Sequence, residues 1–285
     1  MSAHRFSAFS FVDRITSRGD AGVISGTFSI PGHLESFPQS LVAEAIGQLA
    51  AWHAMSQVAF HRRPVAALAG ETRYHREAKP GETLSLQATI ESCDSDSVSY
   101  SGLAFVANQL VLELKDCSGA MLPQEEFDDP GSIEQQFHLL QSSGAKLDRL
   151  VHAPSILPVE VSINPAGGLE GRLVVPQQAD FFDDHFPNKP VFPATLLMHA
   201  LSSMVNSHLH CTAGDTNHPK LVIGAMRRVK VRSWIHPGAE VSLLAEGLAS
   251  DRSPQEVKLS ARVGAKLAAS AVLSLVSESP HQEVA

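Results

Sequence analysis

The feature that most constrains the fold of this chain is an internal repeat. Residues 37–44 (FPQSLVAE) resemble residues 192–199 (FPATLLMH), which lie 155 positions later. A second matching pair, Pro80-Gly81 and Pro237-Gly238, follows in the same order at a spacing of 157. Because the two matches occur in the same order and at nearly the same spacing, they indicate that one structural unit has been duplicated within the chain.

Each copy has the same predicted order of secondary structure. A short strand region, at residues 6–15 or 159–163, precedes a loop, a helix that begins after proline, and three or four strands with alternating apolar residues. Both helices are apolar on nearly every side, which indicates burial, and hairpin-length connections indicate an antiparallel sheet. The sequence therefore predicts an α+β fold in which a sheet wraps around one buried helix, twice.

The repeat also predicts the domain boundaries. We place the first unit at residues 1–122, a linker with one helix at 123–158, the second unit at 159–277 and a polar tail at 278–285. The linker opens with polar and acidic residues, and apolar residues at helical spacing follow at 133–150. The boundaries thus separate the end of one copy from the start of the next.

Composition argues against several classes of protein. Hydrophobic residues make up 44% of the 285 residues, which is enough for a core, and the net charge of −8 disfavours binding to nucleic acid or to an anionic membrane. No uncharged apolar run reaches the ~20 residues of a membrane span. The three cysteines form no CxxC pair, so neither a disulfide scaffold nor a zinc ribbon is predicted. We expect a cytoplasmic protein.

The most informative motif lies at residues 180–197. It is similar to the His-Phe-Pro-Gly-x-Pro-Val-x-Pro-Gly signature of the 3-hydroxyacyl-(acyl carrier protein) dehydratases, which enters the central helix of a hot-dog fold. The matching residues are His185, Phe186, Pro187, Pro190, Val191 and Pro193. The first copy resembles the other half of the family motif at residues 11–15 and at Pro38, Leu41, Glu44, Ala45 and Gln48. The resemblance covers most of both units and implies a double hot-dog, a pseudo-dimer in one chain.

The two copies carry complementary halves of the family's catalytic pair. His185 precedes its helix-start proline by eight residues, and the corresponding position of the first unit is Ile30. Glu44 follows its own proline by six residues, and the corresponding position of the second unit is His199. In the single-unit family the histidine and the acid come from facing subunits. The resemblance therefore implies one active site with His185 and Glu44, and we interpret His199 as structural.

The resemblance implies that the chain dehydrates a 3-hydroxyacyl thioester to a trans-2-enoyl thioester, in fatty-acid or polyketide-like synthesis. A base must take a proton from C2, and an acid must protonate the oxygen that leaves C3. His185 suits the base because the ordinary pKa of histidine is about 6.5. Glu44 suits the acid because its apolar helix should raise the carboxyl pKa. By resemblance, the Ala194 N–H at the helix start binds the thioester carbonyl.

Three further residues are expected to support the site. Gln48 lies one helical turn after Glu44, on the same face. It is expected to orient that carboxyl, to bind a water or to serve as an ordinary core amide. Pro193, at the start of the second helix, and Phe186, within the His-Phe-Pro motif, are also expected to support the site.

The resemblance also implies the partner. No metal or other cofactor is expected, and the substrate would be carried on the phosphopantetheine of an acyl carrier protein. A basic cluster is expected either to meet this acidic carrier or to be a solvated strand face. It consists of Arg227, Arg228, Lys230 and Arg232. The preference for a carrier protein over coenzyme A rests on the resemblance alone, and a homodimer is left open.

Asp184, Asn188 and Ala194 depart from the family pattern, because each stands where glycine is usual. Larger side chains there are expected to narrow a substrate tunnel. They favour an alternative in which the chain is an inactive acyl-binding or scaffold subunit of a synthase, whereas the complementary His185 and Glu44 oppose it. Another alternative is a hot-dog acyl thioesterase that activates water with Glu44, although a hydrolase would not need the whole His-Phe-Pro motif.

Overall fold

The computed structural model describes residues 5–19, 22–154, 157–158, 160–212, 220–248 and 255–277. The first half of this part contains β1 (Arg14–Arg18), β2 (Val23–Ser29), α1 (Gln39–Gln57), β3 (Arg62–Tyr74), β4 (Thr83–Cys93), β5 (Ser97–Val106) and β6 (Gln109–Pro123). The helix α2 (Pro130–Gln141) follows. The second half contains β7 (Glu160–Ile163), β8 (Leu169–Val174), α3 (Ala194–Thr212), β9 (Leu221–Val231), β10 (Glu240–Glu246), β11 (Gln255–Val263) and β12 (Lys266–Ser277).

The described strands join one antiparallel sheet in the order β1-β2-β4-β5-β6-β3-β9-β12-β11-β10-β8-β7. The order of the first six strands from the outer edge to the centre is repeated by the last six. β3 and β9 therefore occupy equivalent places, and they pair with each other at the centre. The predicted α+β fold with two antiparallel sheets is confirmed, and the β3–β9 pair joins the two sheets edge to edge.

Each half of the sheet packs around one helix, and α1 and α3 contact each other. Leu41 and Leu49 of α1 and Leu197 and Leu201 of α3 are almost completely buried. Burial of one such side chain stabilises the folded state by roughly 1.5–3 kcal/mol. The sheet on one side and the partner helix on the other explain why both helices are apolar nearly all round. No helix in the described ranges has both the length and the apolarity of a membrane span.

Backbone hydrogen bonds identify which residues of the two units are equivalent. Ile30, just after β2, donates to the carbonyl of Glu82 and accepts from the N–H of Gly81, in the turn between β3 and β4. Val175, just after β8, makes the same two bonds with the turn between β9 and β10. Ile30 is thus equivalent to Val175.

The connection from this point to the following helix differs in length between the units. Val175 precedes Pro193 by 18 residues, whereas Ile30 precedes Pro38 by 8. His185 lies in the longer connection, so the predicted correspondence of His185 to Ile30 is wrong. Only the second unit has a segment long enough to carry the histidine motif.

The strand predicted at residues 6–15 is mostly wrong, because β1 begins at Arg14. Residues 6–13 form turns and bends. Their N–H groups bind side chains from other parts of the chain, including Asp184 and Gln48, instead of a strand ladder. In the second unit β7 covers most of the predicted strand at 159–163, and Val159 lies outside the described residues.

The linker helix is shorter than the sequence suggested. The prediction covered residues 133–150, whereas α2 ends at Gln141. Asp129 caps its first turn by accepting a hydrogen bond from the Ser132 N–H. Gly144, with a φ of 80°, closes the other end by donating its N–H to the Leu139 carbonyl. The domain boundaries themselves stay a prediction, and the tail at 278–285 lies outside the described residues.

Gly102 on β5 lies where α1 comes close to the sheet. A methyl group at this position would lie 2.3 Å from Ile46 Cγ2 and 2.7 Å from the Gln87 carbonyl oxygen, well inside van der Waals contact. We expect Gly102→Ala to lower the free energy of unfolding by about 1–3 kcal/mol in urea denaturation.

Gly131→Ala, in the first turn of α2, is the matched control for this substitution. The added methyl would lie 3.4 Å from the Asp129 Oδ2 atom, which is ordinary contact. This variant is expected to remain within about 0.5 kcal/mol of the wild type. A similar loss of stability in both variants would contradict the packing argument.

Candidate active site

A cavity of about 260 Å³ lies among α1, α3, β3 and β9. His185 and Glu44, which come from opposite units, both lie on its wall, together with Gln48, Phe186 and Ala194. Most of the remaining lining is apolar. The structure thus brings the two candidate catalytic groups to one cavity.

His185 follows a single turn of 3₁₀ helix at Asp180–Asp183. Its Nδ1 lies 3.0 Å from the Val191 carbonyl oxygen. Because a carbonyl only accepts, this contact assigns the ring proton to Nδ1 and leaves a lone pair on Nε2. The imidazole stacks on Phe186, with centroids 4.1 Å apart, and meets Phe9 edge-on at 5.4 Å. Burial lowers the pKa of His185 to about 4, so the ring is neutral at neutral pH.

Glu44 accepts hydrogen bonds at both carboxyl oxygens. Gln48 Nε2 lies 3.0 Å from Oε1, and the Thr195 hydroxyl lies 2.8 Å from Oε2. Burial raises the pKa of Glu44 and outweighs the lowering by these two bonds and by the charge of Arg63. The carboxyl group therefore keeps its proton to a higher pH than an exposed glutamate does, as a general acid requires.

The neighbours of Glu44 also indicate where its proton lies. The Gln48 amide nitrogen can only donate, so Oε1 must accept, and the acidic proton is assigned to Oε2. The Thr195 hydroxyl faces Oε2 and can either donate or accept, so it can serve both forms of the carboxyl. Sequence reasoning missed Thr195, because a hydroxyl in the first turn of a helix resembles an ordinary capping residue.

Both the nitrogen and the oxygen of the Gln48 side-chain amide form hydrogen bonds. Besides Glu44, its Nε2 contacts the Phe9 carbonyl at 2.9 Å, and its Oε1 accepts from the Phe11 N–H at 2.8 Å. These contacts fix the orientation of the amide and tie α1 to residues 9–11. Of the roles considered for Gln48, orientation of the Glu44 carboxyl fits these contacts.

Arg63 on β3 is a second residue that sequence reasoning missed. Its guanidinium lies over the Phe186 ring at 4.4 Å, and that ring stacks on His185. Burial lowers the pKa of Arg63 to about 10, so the side chain is charged at neutral pH. Its charge lowers the pKa of both His185 and Glu44. Arg63 thus helps to keep the imidazole neutral and makes the carboxyl a stronger acid.

Ala194 is the first residue of α3 and lies on the cavity wall. The N–H groups in the first turn of a helix have no intrahelical acceptor, and the helix dipole adds positive potential there. Pro193, just before α3, is buried and accepts hydrogen bonds from the N–H groups of Leu196 and Leu197. A backbone donor suited to an oxyanion therefore lies beside Thr195.

Asn188 does not narrow the cavity. Its side chain donates to the Glu125 carbonyl at 3.0 Å, and its N–H donates to the Phe127 carbonyl. Asn188 therefore binds the linker instead of lining the cavity, and the expectation of a narrower tunnel is wrong for this residue. Asp184 and Ala194, by contrast, do line the cavity.

His199 lies on α3, where burial lowers its pKa. It is absent from the cavity wall, and the interpretation of His199 as structural stays a prediction. Within the described residues, no group of three or more His, Cys, Asp or Glu side chains is placed to hold a metal ion.

The members of the basic cluster have different surroundings. The Arg227 guanidinium donates to a Glu71 carboxylate oxygen at 2.7 Å, which offsets its charge. Val229 and Val231 line the cavity, so strand alternation places Lys230 on the outer face of the sheet. The exposed members of the cluster are Arg228, Lys230 and Arg232.

Thr195→Val tests the hydrogen bond between the two units at Glu44. The substitution keeps the shape of the side chain and removes a bond that lowers the carboxyl pKa, so we expect the pKa of Glu44 to rise further. The measurement is a pH titration of the carboxyl ¹³C resonance, assigned by comparison with Glu44→Gln.

Two variants control this titration. Thr195→Ser keeps the hydroxyl and should leave the pKa of Glu44 close to that of the wild type. Ser40→Ala removes the equivalent hydroxyl of α1, which has no hydrogen-bond partner among the described residues, and should also have little effect. An unchanged pKa in Thr195→Val would show that the bond does not tune this carboxyl.

Comparisons with known proteins relate the chain to dehydratases. A family model of the ApeI-like dehydratases matches residues 163–270. The 3-hydroxyacyl-[acyl-carrier-protein] dehydratase FabZ of Levilactobacillus brevis is 30% identical over 114 residues, which are 40% of this chain and 76% of the relative. FabZ of Alkaliphilus metalliredigens is 31% identical over 126 residues, which are 44% of this chain and 83% of the relative. Each relative thus matches less than half of this chain.

The similarity in fold to solved structures covers both units. A protein of Lactobacillus plantarum described as an oleoyl thioesterase matches with a TM-score of 0.61, over 92% of this chain and 98% of that protein. The two sequences are only 9% identical, so this match concerns the fold alone. The fold is the double hot-dog predicted from the sequence.

Proposed function

The chain belongs to the 3-hydroxyacyl-[acyl-carrier-protein] dehydratase family, and we propose that it eliminates water from a 3-hydroxyacyl thioester to give a trans-2-enoyl thioester. One observation carries the proposal: a neutral His185 and a Glu44 with a raised pKa share one largely apolar cavity. Dehydration needs an unprotonated base and an acid that holds a proton, and burial shifts both pKa values in the directions that favour these forms. We further propose that the reaction serves fatty-acid or polyketide-like synthesis.

His185 acts as the base in the proposed reaction. Its Nε2 accepts the proton from C2, and the C2–H electron pair moves toward the thioester carbonyl. The Val191 carbonyl holds Nδ1–H, which keeps the ring oriented and stabilises the positive charge that develops on it. Negative charge builds at the same time on the thioester oxygen, where the Ala194 N–H is the proposed donor.

Glu44 acts as the acid in the second half of the reaction. The electron pair forms the C2–C3 double bond, the C3–O bond breaks, and Glu44 Oε2 gives its proton to the departing oxygen, which leaves as water. Gln48 and Thr195 then stabilise the carboxylate through their hydrogen bonds. Transfer of one proton from the imidazolium to the carboxylate restores both groups for the next turnover.

A thioesterase is the second candidate, because the match in fold includes a protein described as one. Hydrolysis would require the Glu44 carboxylate to take a proton from water, whereas burial of Glu44 favours its protonated form. An inactive acyl-binding subunit would have no use for an imidazole held with Nε2 unprotonated. Both features favour the dehydratase.

The test is incubation with a 3-hydroxyacyl carrier thioester followed by mass spectrometry of the product. Loss of one water supports dehydration, release of the free acid indicates a thioesterase, and an unchanged substrate indicates an inactive binding subunit. We expect His185→Ala and Glu44→Gln each to lower kcat/KM by roughly 10²–10⁴-fold.

His199→Gln is the matched control for Glu44→Gln, because it changes the equivalent position of the other helix. It should keep a kcat/KM within a few-fold of the wild type. Circular dichroism establishes that each variant is folded. Full dehydratase activity in either His185→Ala or Glu44→Gln would refute the roles given to these residues.

We also propose that the exposed cations of β9 meet an acidic carrier protein. Charge reversal in the double variant Arg228→Glu/Lys230→Glu should raise KM at least several-fold for a carrier-bound substrate and leave KM for a pantetheine thioester unchanged. The difference should shrink at high salt. Lys146→Glu reverses an exposed charge on the linker and is the control. An equal effect on both substrates would place the cluster outside the carrier interface.

A further inference from the structure

The wall of the cavity above His185 is formed by an irregular stretch at the start of the described chain. We call residues 5–13 the N-terminal segment. Phe6, Phe9 and Ser10 of this segment line the cavity, and the Phe9 ring meets the His185 ring. The segment thus stands beside the atoms at which dehydration is proposed.

Asp184 binds this segment through its carboxylate. One oxygen accepts from the N–H of Phe6, and the other accepts from the N–H groups of Ala8 and Phe9, at 3.0 and 2.8 Å. The Ser10 hydroxyl adds a longer contact at 3.3 Å. The carboxyl group thus receives hydrogen bonds from three backbone N–H groups of one short segment. Glycine, which is usual here in the resemblance, could make none of these bonds.

The segment is also held from two other sides. Arg149 of the linker donates to the carbonyl oxygens of Phe6, Ser10 and Val12, at 2.8–3.0 Å. Gln48 of α1 binds the backbone further along. Among these contacts Asp184 has a distinct place, because it is the chain neighbour of His185. It couples the position of the segment directly to the loop that carries the imidazole.

We propose that Asp184 is a positioning residue that holds the N-terminal segment against His185, and that the segment thereby determines substrate specificity beside the reacting carbon atoms. Both carboxyl oxygens of Asp184 are engaged by hydrogen bonds from the segment. The rings of Phe6 and Phe9 limit the width of the cavity where C2 lies in the proposed reaction. The wall therefore favours straight acyl chains over chains with a methyl branch at C2. This inference rests on the proposed function for the placement of C2.

Asp184→Gly tests the proposal through selectivity rather than activity alone. The variant removes the bonds between the segment and the loop that carries His185, so the ratio of kcat/KM for 3-hydroxyhexanoyl over 2-methyl-3-hydroxyhexanoyl thioester should fall by about tenfold or more. Asp184→Asn keeps an acceptor oxygen without the charge and should give an intermediate ratio. Loss of stability alone would lower both rates together and leave the ratio unchanged.

Phe9→Ala tests whether the Phe9 ring limits the width of the cavity. It removes none of the hydrogen bonds between Asp184 and the backbone, so it can be measured even if Asp184→Gly does not fold. It should lower the same ratio. In the double variant Asp184→Gly/Phe9→Ala, the ratio should change little beyond the larger single effect, because both changes open one wall. Independent, multiplicative effects would contradict a shared origin.

Asn188→Gly is the matched control, since it also restores a glycine of the family pattern but lies outside the cavity wall. It should leave the ratio unchanged. An unchanged ratio in both Asp184→Gly and Phe9→Ala, or an equal shift in Asn188→Gly, would overturn the proposal.

Two measurements keep this inference separate from the proposed dehydration. Hydrogen exchange of residues 5–13 should become faster in Asp184→Gly and remain unchanged in Asn188→Gly. Calorimetric binding of hexanoyl and 2-methylhexanoyl pantetheine, which cannot be dehydrated, should show the same shift in preference. A wild type without turnover would refute the proposed function, whereas unchanged exchange and unchanged binding preference would refute the role of Asp184.

Discussion

The hydrogen bond from Thr195 to Glu44 is the contact on which the candidate site depends, because it joins the two copies of the unit at the reacting groups. It exists because α1 and α3 pack against each other inside a sheet that is continuous through β3 and β9. The same packing places His185, from the second copy, on the wall that Glu44 of the first copy shares. If α1 and α3 separated, His185 and Glu44 would no longer share a wall. The packing of the core and the arrangement of the candidate site therefore depend on the same contact between helices.

Burial favours the form of His185 that accepts a proton and the form of Glu44 that donates one. Removal from water disfavours a charged form, which lowers the pKa of His185 and raises the pKa of Glu44. An apolar cavity therefore favours the neutral form of both groups. Arg63 adds a positive potential that opposes protonation of the imidazole and favours release of the carboxyl proton. The charge of Arg63 thus makes Glu44 a stronger acid, as the proposed elimination requires.

Apolar periodicity and the internal repeat allowed the duplication and the buried helices to be predicted, whereas the pair of His185 and Glu44 was predicted from the resemblance to the dehydratase motif. The correspondence of His185 to Ile30 was predicted by counting residues back from the proline at the start of each helix. It was wrong because the connection before the helix is longer in the second unit, and no local sequence feature reveals that difference. The role of Asp184 could not be predicted, because its donors lie about 175 residues away in the chain. Thr195 was also missed, because it resembles a capping residue in the sequence and only the packing of α1 against α3 brings its hydroxyl to Glu44.

The two units contribute differently to the cavity that His185 and Glu44 share. Several of the α1 residues that line the cavity are small, among them Ala43, Gly47 and Ala51. The position of α3 equivalent to Ala43 holds Met198, a much larger side chain. A methyl group at Gly47 would lie 3.2 Å from the Tyr100 hydroxyl, so even one added carbon would crowd the space beside α1. The second unit contributes His185 from a segment that the first unit lacks, whereas α1 of the first unit contributes Glu44 and part of the cavity wall.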